Sequence, residues 1–375
     1  MNRLFLYIIF LLCFIWPSCQ VKQSPHSEDS FSSDTIRYAQ GFTVHHFDGY
    51  TSVEVRDPWD STRLLQRYLL VDRERPVPGN LPKGTLVPVP VRNVVVYTSV
   101  HAAMIDQLGE TGRIIGVCEP RYMDTPAIQE GLKAGRIADM GEATAPNVEM
   151  MIEKGAELVI VSPFQNSGYG PVEKLGIPII EGADYMESLP LGRTEWIRFY
   201  GLLFGKEALA DSIFRLTEKD YLDLKQLITA EMSRPSVISE KKFGASWFVP
   251  AGESYVANIY ADAGADYVFK ELSGAGSTPL AFETVLDRAI HADLWLVKYN
   301  RSEEMTYDDL RAEYTPYENF DAFKNRRIYT CNTGIVPYYE EFPLHPDYLL
   351  KDLIWVFHPE LQPGYTPRYY RKMGE

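Results

Sequence analysis

Apolar and polar positions divide the chain into four regimes. Leu4–Trp16 is an unbroken apolar run behind Arg3, about 13 residues long. That is shorter than the about 20 residues of a bilayer span and matches the apolar core of a secretory signal. Gln20 to Asp34 is polar, Ser-rich and without apolar periodicity, and reads as a flexible tether. Alternation follows from Thr35 to Glu54, as in Phe42-Thr43-Val44-His45-His46-Phe47, with turn points at Gly41 and Gly49. It predicts a β-hairpin, and Leu64–Val71 and Val87–Val91 add strands. From Asn93 the pattern changes to short apolar runs alternating with helical stretches, the signature of a parallel sheet. Strands are predicted at Asn93–Tyr97, Ile114–Val117, Leu158–Val161 and Ile177–Ile180, with helices at Ala102–Leu108, around Glu149 and at Val172–Leu175.

The longest helical stretch comes next. Trp196, Ile197, Tyr200 and Leu203 share one face, and Gly205 interrupts it. Leu209, Ile213, Leu216, Leu224 and Leu227 then recur at helical spacing, predicting a helix from Lys206 to Met232. Its about 27 residues would span about 40 Å, and Arg234-Pro235 ends it. Strands Gly244–Val249, Leu294–Val297 and Arg327–Thr330, with helices Tyr255–Ala263, around Glu283 and Tyr348–Phe357, form a second α/β region. The expected organisation is a signal over 1–18, a tether over 19–34 and an N-terminal lobe over 35–193. A connecting helical segment over 194–233 and a C-terminal lobe over 234–375 complete it.

One short pattern occurs twice, about 134 residues apart. The first copy runs Glu149-Met150-Met151-Ile152-Glu153-Lys154-Gly155 into Ala156-Glu157-Leu158 and an apolar strand. The second runs Glu283-Thr284-Val285-Leu286-Asp287-Arg288-Ala289 and, two residues later than the first, into Ala292-Asp293-Leu294 and its strand. Copies this far apart do not make a solenoid. They fit two α/β lobes, each with a helix leading into a buried strand, and two lobes imply a cleft. Helix-then-strand segments with an early Glu also arise in any α/β protein.

Composition narrows the classes. The formal net charge is −14, which argues against nucleic acid as partner, since that takes a basic footprint. A local Arg or Lys cluster inside a cleft remains compatible with an anionic ligand. Ser18-Cys19 after the apolar run resembles a lipoprotein box, with Cys19 as the lipidated residue, although Trp16 and Pro17 depart from the usual pattern. Cys118 and Cys331 fall after separate strands and read as two buried thiols. No zinc-type spacing, nucleophile elbow, His-Glu-x-x-His helix or phosphate loop is present. Neither an enzymatic activity nor a bound cofactor is expected; an exported hydrolase is the competing class, because paired carboxylates are found by distance and not by spacing.

Several segments resemble the class III solute-binding proteins of bacterial ABC importers, which carry iron–siderophore complexes, haem or cobalamin. The resemblance rests on Val96-Tyr97-Thr98-Ser99-Val100-His101, Arg113-Ile114-Ile115-Gly116-Val117, Pro146-Asn147-Val148-Glu149 and Gly176-Ile177-Pro178-Ile179. Leu191-Gly192-Arg193 before the long helix and Phe282-Glu283 add to it. It spans roughly 92 to 357 and implies two Rossmann-like lobes joined by one long rigid helix, with the ligand between them. It further implies that Glu149 and Glu283 dock onto an ABC importer permease and that the protein is a lipid-anchored monomer at the periplasmic face of a bacterial membrane. The cargo so implied is an iron chelate, siderophore or haem, with a corrinoid as the alternative.

Open α/β sheets bind ligands beyond the C-terminal ends of their strands. In the N-terminal lobe that points to Tyr97, Thr98, Ser99, His101, Phe164, Gln165, Tyr169, Tyr185 and Arg193. In the C-terminal lobe it points to Trp247, Phe248, Tyr255, Lys298, Arg301 and Tyr338. Aromatic faces with polar tips suit a large flat or macrocyclic ligand. His101 has no second and third His or carboxylate at ligand spacing, so no metal site is expected.

Overall fold

The computed structural model describes residues 32–374. The expected signal, Cys19 as the expected lipidation site and most of the expected tether lie outside them. Ser32–Ser33, placed in the tether by composition, is instead strand β1. It pairs antiparallel with β2 (Phe42–Phe47), Ser32 opposite His46. β3 (Tyr50–Arg56), β4 (Leu64–Asp72) and β5 (Thr85–Val89) complete a separate five-stranded sheet in simple chain order. The predicted hairpin is therefore part of a layer of its own. Its inward residues Phe42, Val44, Val53, Val55 and Tyr68 share one core with the helices described next.

The N-terminal lobe has a parallel sheet of β6 (Val94–Val96), β7 (Ile114–Val117), β8 (Ala138–Asp139), β11 (Leu158–Val161) and β12 (Ile179–Glu181). Its order is β12-β11-β6-β7-β8. A two-stranded hairpin, β9 (Gly141–Glu142) and β10 (Ala145–Pro146), follows β8. The helices are α1 (Ser99–Gln107), α2 (Pro126–Lys133) and α3 (Val148–Glu153). α4 (Pro190–Glu195) and α5 (Ile197–Phe204) then carry Trp196, Phe199 and Leu203 into the core beneath the extra sheet. Gly205, at φ +66°, ends α5 in the left-handed region that glycine adopts without cost.

α6 (Glu207–Lys225) follows and joins the lobes, packing between α5 and a C-terminal helix. It has 19 residues, about 28 Å at 1.5 Å per residue, so the expected helix to Met232 is too long. Its buried face is also rotated from the expected one. Ala210, Phe214, Thr217, Glu218 and Tyr221 are buried, whereas Leu209, Leu216 and Leu227 are exposed. Beyond Tyr221 only the partly buried Leu224 and Ile228 remain against the core. The helix stops where its packing surface does.

The C-terminal lobe orders β16 (Asp266–Tyr267), β13 (Ser236–Ser239), β18 (Leu294–Tyr299), β19 (Ile328–Asn332) and β20 (Arg371–Lys372), parallel except for the last. An antiparallel trio of β14 (Lys242–Phe243), β15 (Ser246–Pro250) and β17 (Ser277–Leu280) lies beside it. Its helices are α7 (Tyr255–Asp262), α8 (Phe282–Ala289), α9 (Tyr307–Glu313), α10 (Asp321–Lys324), α11 (Tyr338–Glu341) and α12 (Pro346–Phe357), the last packing on α6. Cys118 and Cys331 are buried free thiols. Burial pushes each up to about 12. Two Rossmann-like lobes thus flank a helical connection, with a cleft between them.

The lobes are also clipped together. Leu344, from the C-terminal lobe's chain, sits in the N-terminal lobe's core. Thr194 Oγ1 donates to the Pro343 carbonyl at 3.0 Å, and Glu340 accepts from the Asp124 amide at 2.8 Å.

Candidate functional site: an interlobe cleft with cationic walls

The cleft has two chambers at the C-terminal ends of the parallel strands. One, of about 620 Å³, is lined from the N-terminal lobe by Tyr185 and Arg193. Phe248, Tyr255, Lys298, Arg301, Phe243 and Lys242 are among its walls from the C-terminal lobe. The second, of about 580 Å³, lies between Ser99, Arg121 and Tyr122 on one side and Tyr338 and Glu340 on the other. Glu240, Lys298, Tyr299, Asn300 and Tyr339 border both.

The centre of the cleft is the pair Lys298–Glu240. Glu240 directly follows β13 at φ +66°, an uncommon conformation for a residue with a Cβ, often found at functional positions. Its backbone is held there. The amide donates to the Leu296 carbonyl at 2.8 Å, and the carbonyl accepts from Trp295 Nε1 at 2.7 Å. The carboxylate accepts from Lys298 Nζ. Burial works against the Lys298 charge, but the Glu240 carboxylate outweighs it and holds the ammonium well above the ordinary lysine range.

Arg193 is positioned from behind. Its Nε donates to Asp184 Oδ2 at 2.9 Å, and His101 Nε2 lies 3.0 Å from Asp184 Oδ1. Its guanidinium lies over the Phe342 ring, 5.1 Å from the centroid. Burial opposes the Asp184 charge, but the Arg193 charge and the His101 hydrogen bond outweigh it, so the carboxyl sits below its usual range. His101 is therefore a buried support for Arg193 and does not reach the cleft.

The other expected residues divide. Ser99, Tyr185, Arg193, Phe248, Tyr255, Lys298, Arg301 and Tyr338 come together on the cleft walls. Trp247 does not, because its ring is core, packed on Trp295 and Phe320, and its Nε1 donates to the Ser239 carbonyl at 3.0 Å. Tyr97 and Thr98 lie just before Ser99 with buried hydroxyls that find no partner. Phe164 and Gln165 are exposed, the Phe164 ring 6.2 Å from that of Tyr185. Tyr169 turns aside to Glu181, at 2.7 Å. Glu240, Lys241, Lys242 and Arg121 are cleft residues that the sequence reading passed over. The available signal was an acid and two bases one residue after the short apolar run Val237-Ile238.

Glu149 and Glu283 stand in the first turns of α3 and α8. Both are exposed, and among the described residues neither makes an ion pair or a side-chain hydrogen bond. The acid of each Ala-acid-Leu segment, by contrast, is occupied. Glu157 Oε2 accepts from Arg73 at 2.7 Å and from the Arg92 amide at 3.3 Å. Asp293 Oδ2 accepts from the Ser236 amide and hydroxyl at 2.9 and 2.7 Å. Each acid thus fastens the start of its lobe's first strand.

The periplasmic binding protein family model matches residues 94–333. The chain belongs to the periplasmic binding protein family. Members of that family are the solute-binding components of ABC transporters. The uncharacterized lipoprotein MJ0878 of Methanocaldococcus jannaschii is 28% identical over 371 residues, 93% of this chain and 87% of the relative. Three solved structures share the fold: a periplasmic binding protein of Veillonella parvula (TM-score 0.58, 16% identical, 72% of this chain and 91% of that one), an ABC-type Fe3+-hydroxamate transport system of Saccharomonospora viridis (0.55, 18%, 72% and 94%), and a periplasmic heme binding protein of Pseudomonas aeruginosa (0.56, 16%, 76% and 98%). The family match begins after β1–β5, whereas the archaeal match takes in too much of the chain to leave that sheet out.

Proposed function

We propose that this protein is the substrate-binding lipoprotein of an ABC importer, which captures an iron complex, siderophore or haem, and hands it to the membrane permease. The observation that carries the reading is the charge of the cleft. Arg121, Arg193, Lys241, Lys242, Lys298 and Arg301 border it against Asp124, Glu240, Glu313 and Glu340, a surplus of two positive charges in a chain of net charge −14. Low-dielectric walls focus such a local field, which suits an anionic chelate better than a corrinoid without that charge. Among the described residues no group of three or more His, Cys, Asp or Glu is placed to hold a metal, so iron as cargo brings its own donors. Phe248 and Tyr339 add apolar faces to the walls.

Glu149 and Glu283, exposed and unpartnered, are the proposed permease contacts, and their charge sets orientation and association rate. Cys19 is the proposed lipid anchor, in keeping with the lipoprotein name of the archaeal relative. The protein acts outside the cytoplasm and as a monomer.

The test is a titration of the mature protein by tryptophan fluorescence with haem, a ferric hydroxamate, a ferric catecholate and cobalamin. Saturable binding of an iron complex without turnover is expected. Saturation by cobalamin alone overturns the cargo, and silence across all four overturns the receptor. Reversing both Glu149→Arg and Glu283→Arg is expected to slow uptake by about tenfold or more, a docking loss of about 1.4 kcal/mol, with cargo binding intact. Unchanged uptake removes the docking role.

A further inference from the structure

Arg121 belongs to two places at once. It borders the interlobe chamber, across from Lys298 and Tyr339. It also clamps Glu142 of the β9–β10 hairpin, Nη1 to Oε1 at 2.7 Å and Nη2 to Oε2 at 2.9 Å. Its guanidinium stacks on Tyr122, 4.7 Å from the ring centroid. Glu119 also approaches it, at 3.5 Å, from a left-handed backbone at φ +50°.

The hairpin leads directly into α3. Ala145 pairs with Glu142 and Pro146 with Gly141. The Asn147 amide donates to the Met140 carbonyl at 2.8 Å, and Asn147 Oδ1 accepts from the Met150 amide at 3.0 Å. The cap lies five positions after Glu142, and Glu149 two positions beyond the cap.

We propose that Arg121 couples occupancy of the cleft to the docking helix, because an anionic group entering the chamber competes with Glu142 for its guanidinium. The inference rests on the function proposed above and names how that site reports to its partner. Exposed ion pairs are weak, so the clamp is easily exchanged for a chelate's charge, to which Lys298 adds attraction from the facing wall. Once the guanidinium turns inward, Glu119 and Glu142 lose the cation between them. Their repulsion then displaces the hairpin, and the displacement reaches the cap of α3. A firmly buried Arg–Glu pair would not serve; the half-exposed side chains of Arg121 and Glu142, each at 52%, make the exchange cheap.

Amide hydrogen exchange over residues 141–150 of the full mature chain tests this. Without ligand, Arg121→Ala and, separately, Glu142→Gln are expected to speed exchange there about fivefold, the scale of an exposed bidentate pair, with β19 and α12 unchanged. Saturating ferric catecholate, checked by tryptophan quenching, is expected to do the same to the unaltered protein and to add nothing to Arg121→Ala. Equal exchange in the unaltered protein and both variants overturns the inference. So does quenching that saturates while residues 141–150 stay as protected as before. If no quenching occurs, the catecholate cargo fails instead, and the ligand-free comparison still decides whether Arg121 holds the hairpin.

Discussion

In the N-terminal lobe the first strand, β6, has β7 and β8 on one side and β11 and β12 on the other. In the C-terminal lobe the first strand, β13, has only β16 on one side and β18, β19 and β20 on the other. These are the strand orders 3-2-1-4-5 and 2-1-3-4-5, two forms of doubly wound sheet. The repeated sequence pattern nevertheless occupies one place in both. Its helix crosses to the far side of the first strand, and its strand pairs there, Leu158 opposite Val94 and Leu294 opposite Val237. That crossing is the switch point, beyond whose strand ends an α/β sheet binds its ligand. The repeat therefore marks a position relative to the cleft and does not require duplicated lobes. Within it the two acids divide the work. The strand-side acid fastens the sheet, and the helix-side Glu is exposed and makes no ion pair or side-chain hydrogen bond among the described residues.

Buried acids are kept either fully bonded, as Glu195 and Asp352 are, or short of donors, and the largest effect expected follows from the first. Glu195, fully buried at the end of α4, accepts from the amides of Arg37, Tyr38 and Ala39 at 3.1, 2.8 and 2.9 Å and from Arg198 at 3.0 Å. It ties the β1–β2 connection of the extra sheet onto the lobe. Glu195→Ala leaves several amides without acceptors, so a loss of about 3–5 kcal/mol is expected in guanidinium unfolding. Glu195→Gln, which retains one acceptor oxygen, is expected to lose less. Equal stability for all three proteins would mean that the extra sheet holds without this tie.

The C-terminal lobe offers the opposite case. Asp347, in the first turn of α12, is buried with Oδ1 lacking a hydrogen-bond partner, His345 Nδ1 standing 3.8 Å away, and burial pushes its carboxyl up to about 7. A carboxyl whose pKa is raised on folding contributes stability that is complete below the ordinary value of 3.8 and is lost as pH rises through about 7. Asp347→Asn removes that loss. It is expected to leave stability unchanged near pH 4 and to raise it by about 2 kcal/mol at pH 8, short of the full linkage because the new amide is itself buried. Asp184 has its carboxyl lowered by Arg193, so its stabilisation is present above the ordinary carboxylate range and fades as pH falls through the lowered value. Relative to the unaltered protein, Asp347→Asn should therefore gain stability across pH 4–8, whereas the Asp184→Asn deficit stays constant there and shrinks only below about pH 4. Parallel curves would refute the contrast.

Legibility follows locality. The longer parallel strands are mostly readable because both their faces are covered, giving continuous apolar runs such as Leu158-Val159-Ile160-Val161, whereas the two-residue edge strands β8 and β16 leave no such run. β13 escapes because Ser236-Val237-Ile238-Ser239 has only two apolar residues, and with it goes the position of Glu240. The extra sheet reads as a hairpin and two loose strands because its partners, Trp196 and Phe199, lie about 140 residues away in sequence. The α6 pattern misleads for the same reason: helical spacing identifies a stripe, but only the neighbouring α5 and α12 decide which stripe is covered. In the cleft, residues near the C-terminal ends of legible strands are themselves legible, as Ser99 and Lys298 show. Trp247 shows the limit, since adjacent strand positions point to opposite faces and the sequence does not say whether it or Phe248 faces the cavity.

The smallest effect tests the division of labour inside the repeat. Asp293 and the Ser236 amide and hydroxyl bond reciprocally, with the Ser236 Oγ also accepting from the Asp293 amide at 2.9 Å. Glu157 has one good partner, Arg73, and a long contact to the Arg92 amide. Both side chains are more than a third exposed, so solvent screens them. Asp293→Ala is expected to cost about 1 kcal/mol and Glu157→Ala about half that in urea unfolding. Cargo affinity should stay unchanged in both, because each acid lies at the strand end away from the cleft. If Glu157→Ala proves the costlier, Arg73 is the reason. That arginine also donates to the Pro90 carbonyl at 2.9 Å, and the N-terminal copy of the acid would then serve to hold the extra sheet on its lobe, a task its C-terminal counterpart does not have.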